Sequence, residues 1–266
     1  MADAVSKSST VKIIFTIARN TFREAVRDRV LYNLVLFVLL ITASAIFLGE
    51  LTAGQEARTT VNIGLSAMLL FGAFISIFVG VSLVSKEIEK RTVYAIFSKP
   101  IGRGEFIVGK YLGLCLTLLV NVLIMGVGVS LALLYVKGGS LAFSIWGAIF
   151  LIFLELAILT AVAILFSSFS SPALSALLAF FVFVIGHFSA SLRDLADRLG
   201  SAFAKTFFGA IYYLLPNLSF YEFATHAANG ATPPAAMLGG AFLYAVVYTS
   251  ILLAITILVF SRRNFK

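Results

Sequence analysis

The stretch SKEIEKRTVYAIFSKPIGRGEFIVGKY, residues 85–111, decides the fold. It holds Lys86, Glu87, Glu89, Lys90, Arg91, Lys99, Arg103, Glu105 and Lys110, with a long apolar run on either side. Charge at this density does not sit in hydrocarbon, so the stretch is an aqueous loop between two membrane spans. Its first piece is amphipathic. Ile88, Val93, Ile96 and Phe97 share a buried face while Glu87, Glu89, Lys90 and Arg91 stay in water, which predicts a helix from about Ser85 to Ser98. Pro100 and Gly102 break it, and Arg103 to Glu105 restart the chain into the next span. Topology alone needs only a few cations. A helix closed by a Pro-Gly turn points to a docking surface.

Composition agrees with a polytopic membrane protein. The 266 residues are 61% hydrophobic and 12% charged, with mean hydropathy +1.04, whereas a soluble domain carries about 25% charged residues. The net charge of +8 would suit nucleic acid if it lay on one soluble face. Here the cations cluster at the ends of apolar runs, so no nucleic-acid partner is expected. Cys115 is the single cysteine, which excludes an intrachain disulfide framework. MADAVSKSSTVK has no short apolar core followed by a cleavage site, so the first apolar run is expected to act as its own insertion signal.

Outward from the loop, the spans follow from runs of about 20 apolar residues. They are expected at 30–49, 62–84, 106–135, 141–166, 172–191 and 236–260, with Pro172 opening the fifth. Before them, residues 10–30 place Ile13, Ile14, Ile17, Ala18, Phe22, Ala25 and Val26 on one helical face, with basic residues on or beside the other. That pattern predicts a helix lying in the headgroup plane. Residues 192–235 form the longest polar interruption, within which 207–223 is apolar but too short before Pro216 to span. The fold class is therefore an all-α polytopic membrane protein, one domain over 1–266, with six spans, an amino-terminal interfacial helix and a coupling helix between spans 2 and 3.

Six spans put both termini on one side, together with the 85–105 loop. The basic residues divide roughly three to one in favour of that side, leaving Arg58, Lys137, Arg193, Arg198 and Lys205 for the other. The positive-inside rule makes the richer side cytoplasmic.

Chemistry-bearing motifs are few. GEFIVGKY, from Gly104, imitates a phosphate-binding loop, but Tyr111 replaces the Ser or Thr that would hold Mg²⁺ and no strand precedes it. No catalytic residue and no metal site is expected: His187 and His226 lie on separate segments without ligand-spaced neighbours. Glu155 is the one carboxylate inside an apolar run. Such a group either lines a path or ties helices together, and both readings stand. Asn121 and His187 are the other intramembrane polar candidates. Apart from Glu155 the spans offer almost no charge, which favours an amphipathic or lipidic cargo over a free ion. An ion-driven secondary transporter would show inverted repeats and several intramembrane carboxylates, and the sequence shows neither.

KEIEKRTVYAIFSKPIGRGEFIVGKYLG, residues 86–113, resembles the cytoplasmic loop of exporter-type ABC transporter permeases of the ABC-2 superfamily. The matching positions are Glu87, Glu89, Arg91, Thr92, Ser98, Pro100, Ile101, Arg103, Gly109 and Lys110; Arg91 stands where many members have Gly. LFSSFSSPALSALLAF (165–180), LLPNLSF (214–220) and FSRRNF (260–265) are similar to a subgroup that includes the permease of nitrous oxide reductase maturation systems.

The resemblance implies a non-catalytic membrane subunit in the inner membrane of a prokaryote. Two such permeases, identical or related and most simply a homodimer, would pair with two separate ATPase subunits that bind the ATP and Mg²⁺. On this carry-over Glu87, Glu89, Lys90, Arg91, Thr92, Tyr94, Ala95, Ser98 and Lys99 couple to the ATPase. Spans 2 and 5 line the path, and Pro216 and Asn217 belong to an outer gate. The alternative use of the same parts is a mechanotransmitter that moves an extracytoplasmic partner without transporting.

Overall fold

The computed structural model describes residues 2–27, 54–89, 102–189 and 202–262, with isolated positions from 36 to 47 and at 191 and 198. Among these residues every regular element is a helix: α1 (Ala2–Arg27), α2 (Glu56–Glu89), α3 (Arg103–Tyr135), α4 (Gly139–Ser144), α5 (Trp146–Ser167), α6 (Pro172–His187), α7 (Ala202–Leu214), α8 (Ala224–Ala228) and α9 (Ala235–Arg262), with a 3₁₀ turn at Leu218–Tyr221 before α8. Four stretches are long and apolar enough to cross a membrane: Glu56–Ser82, Arg103–Tyr135, Gly139–Ser167 and Ala235–Arg262. The first expected span, 30–49, lies almost wholly outside the described residues.

A helix that is apolar on every side sits inside a packed core or against lipid. In α5, apart from Glu155, the interior is apolar or hydroxylic, and it occupies the centre, against α2, α3, α6 and α9. α2 meets it along small residues one turn apart, Gly72, Ser76 and Gly80. The space a Cβ would need at Gly72 is taken by Leu156, and at Gly80 the Ala163 methyl lies 3.1 Å from it. Between the two glycines, Ser76 Oγ donates to the Leu156 carbonyl at 3.1 Å and lies 2.8 Å from Thr160 Oγ1. With no water to hide from in lipid, close packing and such hydrogen bonds hold helices together.

α3 is capped as its sequence suggests, the Glu105 carboxylate accepting the Gly102 N–H at 3.0 Å. α6 opens with Pro172 after Ser171 but ends at His187, short of the expected 191. At about 1.5 Å per residue its 16 residues reach ~24 Å, less than the ~30 Å hydrocarbon core. The chain turns at Phe188, and Gly186 accounts for where. A Cβ there would lie 2.9 Å from the Pro216 carbonyl oxygen and 2.8 Å from Leu218, so the polar segment folds back onto the end of α6.

α2 also differs from its expected bounds. It begins at Glu56 and runs without a break through Glu89, so Ser85 opens no new helix. Ser85 to Glu89 contain neither Gly nor Pro, and nothing local stops a helix that has already paid its nucleation entropy. An apolar window measures hydrocarbon thickness, not helix length. The remainder of the expected coupling helix lies outside the described residues.

Candidate functional site

Two regions carry the polar chemistry. The first surrounds the start of α3. Glu87 and Glu89 stand in the last turn of α2, whereas Lys90, Arg91, Thr92, Tyr94, Ala95, Ser98 and Lys99 lie outside the described residues. Where the chain resumes, Arg103 Nη1 donates to the carbonyls of Phe260 at 3.1 Å and Ser261 at 2.5 Å. These belong to the last turn of α9, whose terminal carbonyls lack helical partners and favour a cation. The Phe106 and Phe260 rings stack beside them at 6.1 Å.

α1 grips the next turns of the same helix. Gly109 and Gly113 lie one turn apart on α3. A Cβ at Gly109 would fall 2.8 Å from Ile17 side-chain atoms, and one at Gly113 would fall 2.5 Å from the Ala18 carbonyl oxygen. Between them the nearly buried Lys110 lies 3.6 Å from the half-exposed Glu24 carboxylate. The apolar face read from the sequence is the face that packs, with Thr21 and Ala25 fully buried on it; Val11 and Phe15 point away. One end of α3 therefore gathers α1, α9 and the return of the charged loop.

The second region is a cavity of about 380 Å³ bounded by α2, α5, α6 and the segment after Pro216. Glu155 and His187 meet on its wall, Oε1 to Nε2 3.2 Å, the carboxylate 1% exposed and the imidazole 21%. His187 Nδ1 lies 3.0 Å from the Phe183 carbonyl. A carbonyl only accepts, so Nδ1 carries the proton and Nε2 faces Glu155. The separation is that of an ion pair but the alignment is not that of a hydrogen bond, and neither atom has another partner. Tyr221, Glu222, Phe183 and Phe223 line the same space.

Asn121 does not join them. Its amide donates to the Thr117 carbonyl at 2.8 Å within its own helix, as a buried intrahelical packing residue does, and it does not line the cavity.

Asn217, after Pro216, bridges Ser189, just beyond α6, and Tyr244 of α9. Asn217 Oδ1 accepts from Ser189 Oγ and Ser219 Oγ, both at 2.6 Å, and the Asn217 N–H donates to the Tyr244 hydroxyl at 3.0 Å. Tyr221 donates to the Ala241 carbonyl at 2.9 Å and Tyr248 to the Leu214 carbonyl at 3.0 Å. Burial pushes the Tyr221 phenol well above its ordinary value, so it remains a donor. Three tyrosines thus pin the segment to α9. The residues missed in sequence, Tyr221 and Glu222, sit in the string FYEF, whose aromatic-acid-aromatic pattern was the available signal. Among the described residues no three His, Cys, Asp or Glu side chains are grouped to hold a metal.

Residues 15–265 match the model of a family described as ABC-2 family transporter protein. Over 105 residues the chain is 27% identical to a probable ABC transporter permease protein NosY of Pseudomonas aeruginosa, 38% of each chain. Over 138 residues it is 25% identical to a probable ABC transporter permease protein NosY of Stutzerimonas stutzeri, 50% of each. The alignments thus span half or less of the length of these curated relatives.

Proposed function

The chain belongs to the ABC-2 family of transporter proteins, and from that premise we propose that it is the permease subunit of an ATP-driven ABC exporter. It contributes no catalytic chemistry. A separate ATPase subunit, in two copies, docks on the 85–105 loop, and a second permease completes the path. Both termini face the cytoplasm across the inner membrane of a prokaryote, following the distribution of basic residues.

The observation that carries this reading is the junction at the start of α3. The loop leaves the last turn of α2 and returns at Arg103, which is bonded to the end of α9, while α1 is packed against Gly109 and Gly113. A force applied to the loop by closure of the ATPase pair acts on α2 and α3 directly and on α1 and α9 through these contacts. Interiors packed this closely shift as bodies instead of yielding locally. ATP binding then biases one arrangement of the spans over another, because the ATPase binds the two arrangements with different affinity.

The test is gentle purification from native membranes with identification of co-purifying chains, for the wild type and for Glu89→Ala with Arg91→Ala. A soluble ATPase subunit that accompanies the wild type and is lost or uncoupled in the variant supports the reading. A chain that brings no ATPase and moves solute down an ion gradient defeats it.

A second reading has its own support. The segment around Asn217 and Tyr221 is tied to α9 by hydrogen bonds, and α9 is tied to Arg103 at its other end. A displacement at the loop would reach the outer face along one helix and move an extracytoplasmic partner without transport. Uptake of cargo into sealed vesicles in the presence of ATP separates the two.

A further inference from the structure

The cavity between α2, α5, α6 and the post-Pro216 segment combines two features that arise independently. The first is a deficit of donors. Glu155 Oε1, 1% exposed, faces His187 Nε2 at 3.2 Å with no hydrogen bond to it or to any other of the described residues. The proton of the imidazole is committed to the Phe183 carbonyl through Nδ1. The Nε2 lone pair and the Glu155 carboxyl group therefore look into one space, with the Glu222 side chain on the same lining. A buried polar atom without a partner is costly, so a ligand that brings N–H donors to this pair gains by it.

The second feature is the wall. Phe183, Phe188, Tyr221 and Phe223 line the cavity, and the remainder is largely aliphatic, from Leu65 and Leu69 on α2 to Ile152 on α5. Ring faces carry negative charge density and attract cations, most strongly where water is excluded. A volume of about 380 Å³ falls in the range of small-molecule sites, ~300–1,000 Å³.

From these we infer that the cavity binds an organic ammonium with an apolar body, its N–H groups directed to Glu155 and His187 and its carbon skeleton against the rings. An anion would meet two acidic side chains, Glu155 and Glu222, on the lining. A bare metal ion would find too few ligands among the described residues. A neutral apolar molecule would leave both acceptors unpaired. The inference rests on reading this cavity as part of the cargo path, and it narrows that cargo from amphipathic to amphipathic and cationic.

The test uses the full chain in nanodiscs, with empty nanodiscs as reference, and three probes of one shape: phenylbutylamine, phenylbutanol and phenylbutyrate. Affinities are read by calorimetry and by saturation-transfer NMR at neutral pH. The amine is expected to bind about tenfold more tightly than the alcohol, the advantage of charged over neutral hydrogen bonds together with the cation–ring attraction. The acid is expected to bind more weakly than either.

Glu155→Gln keeps the shape and removes the acid, so it should erase the preference for the amine while leaving alcohol binding in place. Amine and alcohol binding equally to the wild type overturns the inference, and that comparison needs no variant to fold. A preference that survives in Glu155→Gln overturns it as well. Co-purification of an ATPase is scored on the same preparation. If the ATPase is absent and the amine preference present, the export reading falls and the site stands; the reverse result removes the site alone.

Discussion

Arg103, the first residue of α3, holds the last turn of α9 through the Phe260 and Ser261 carbonyls, 157 and 158 positions away in sequence. The contact joins the return of the charged loop to the helix whose other end is tied to the segment after Pro216. It also completes α9, whose final carbonyls have no intrahelical partners.

Replacing Arg103 by Ala should fray that end. Loss of this charge-assisted contact, shared between two carbonyls, should cost about 1–2 kcal/mol at a partly exposed site, which corresponds to roughly five- to thirtyfold faster amide exchange over the last turn of α9. Arg103→Lys should recover only part of it, since the lysine ammonium is more strongly hydrated and sits on a more flexible stem than the guanidinium Nη1 that serves both carbonyls. Hydrogen exchange read by mass spectrometry decides. Unchanged protection in Arg103→Ala would show that the end of α9 is held by the Phe106–Phe260 stack instead.

The α1–α3 crossing depends on backbone proximity more than on its ion pair. At Gly113 the obstacle to a Cβ is the Ala18 carbonyl oxygen, which moves only if α1 moves. Gly113→Ala should therefore cost ~1–3 kcal/mol and release α1 to proteolysis. Gly72→Ala meets only the tip of the Leu156 side chain and should cost less, because a rotamer change accommodates it. Glu24→Ala removes a pair whose acid is half exposed, worth under about 1 kcal/mol. The expected order of thermal stabilities in detergent is Glu24→Ala above Gly113→Ala, and the opposite order would mean that charge governs the crossing.

Lys137 takes φ 59° in the turn between α3 and α4. An L-residue there pays for the approach of its Cβ to the backbone. Lys137→Gly should raise thermal stability by up to ~1 kcal/mol, whereas Lys137→Val should lower it by at least as much. Its side chain is exposed, so neither change disturbs a packed surface. Melting curves of the two variants against the wild type measure both effects.

What could be read in sequence follows from which forces are local. Apolar run length and Pro172 marked where the long apolar helices lie, whereas the apolar face of α1 (Ile13, Ile14, Ile17, Ala18, Phe22, Ala25 and Val26), expected to lie in the headgroup plane, is the side on which α1 packs against α3. The length of α2 was missed because its last turns are polar and helical at once, so composition changes there while conformation does not. The early end of α6 was missed because its cause is Pro216 and Leu218 lying on Gly186, a contact between distant residues with no signature at either. For the same reason Glu155 stood out as a lone carboxylate while its meeting with His187 did not. Asn121, a polar span residue of the kind that is more often a packing contact than a ligand, spends its amide within its own helix.

Tyr221 ties the segment after Pro216 to α9 through the Ala241 carbonyl, and its phenol is raised above the ordinary value of 10.0 by burial first, with the Tyr244 and Glu155 charges adding to it. A native state that keeps its proton longer than the unfolded chain loses stability as pH rises. The contribution of Tyr221 is thus full below pH 10.0, the unfolded value, and declines above it toward the raised native value. Tyr221→Phe removes the bond, which should cost about 1 kcal/mol at neutral pH, and it also removes the titration. The stability difference between wild type and Tyr221→Phe should therefore stay constant from pH 6 to about 9 and shrink in stronger alkali. Paired thermal melts across that range test the assignment. A gap that widens above pH 10 would mean that the phenol ionises more readily in the folded protein, which is incompatible with the buried bond to Ala241.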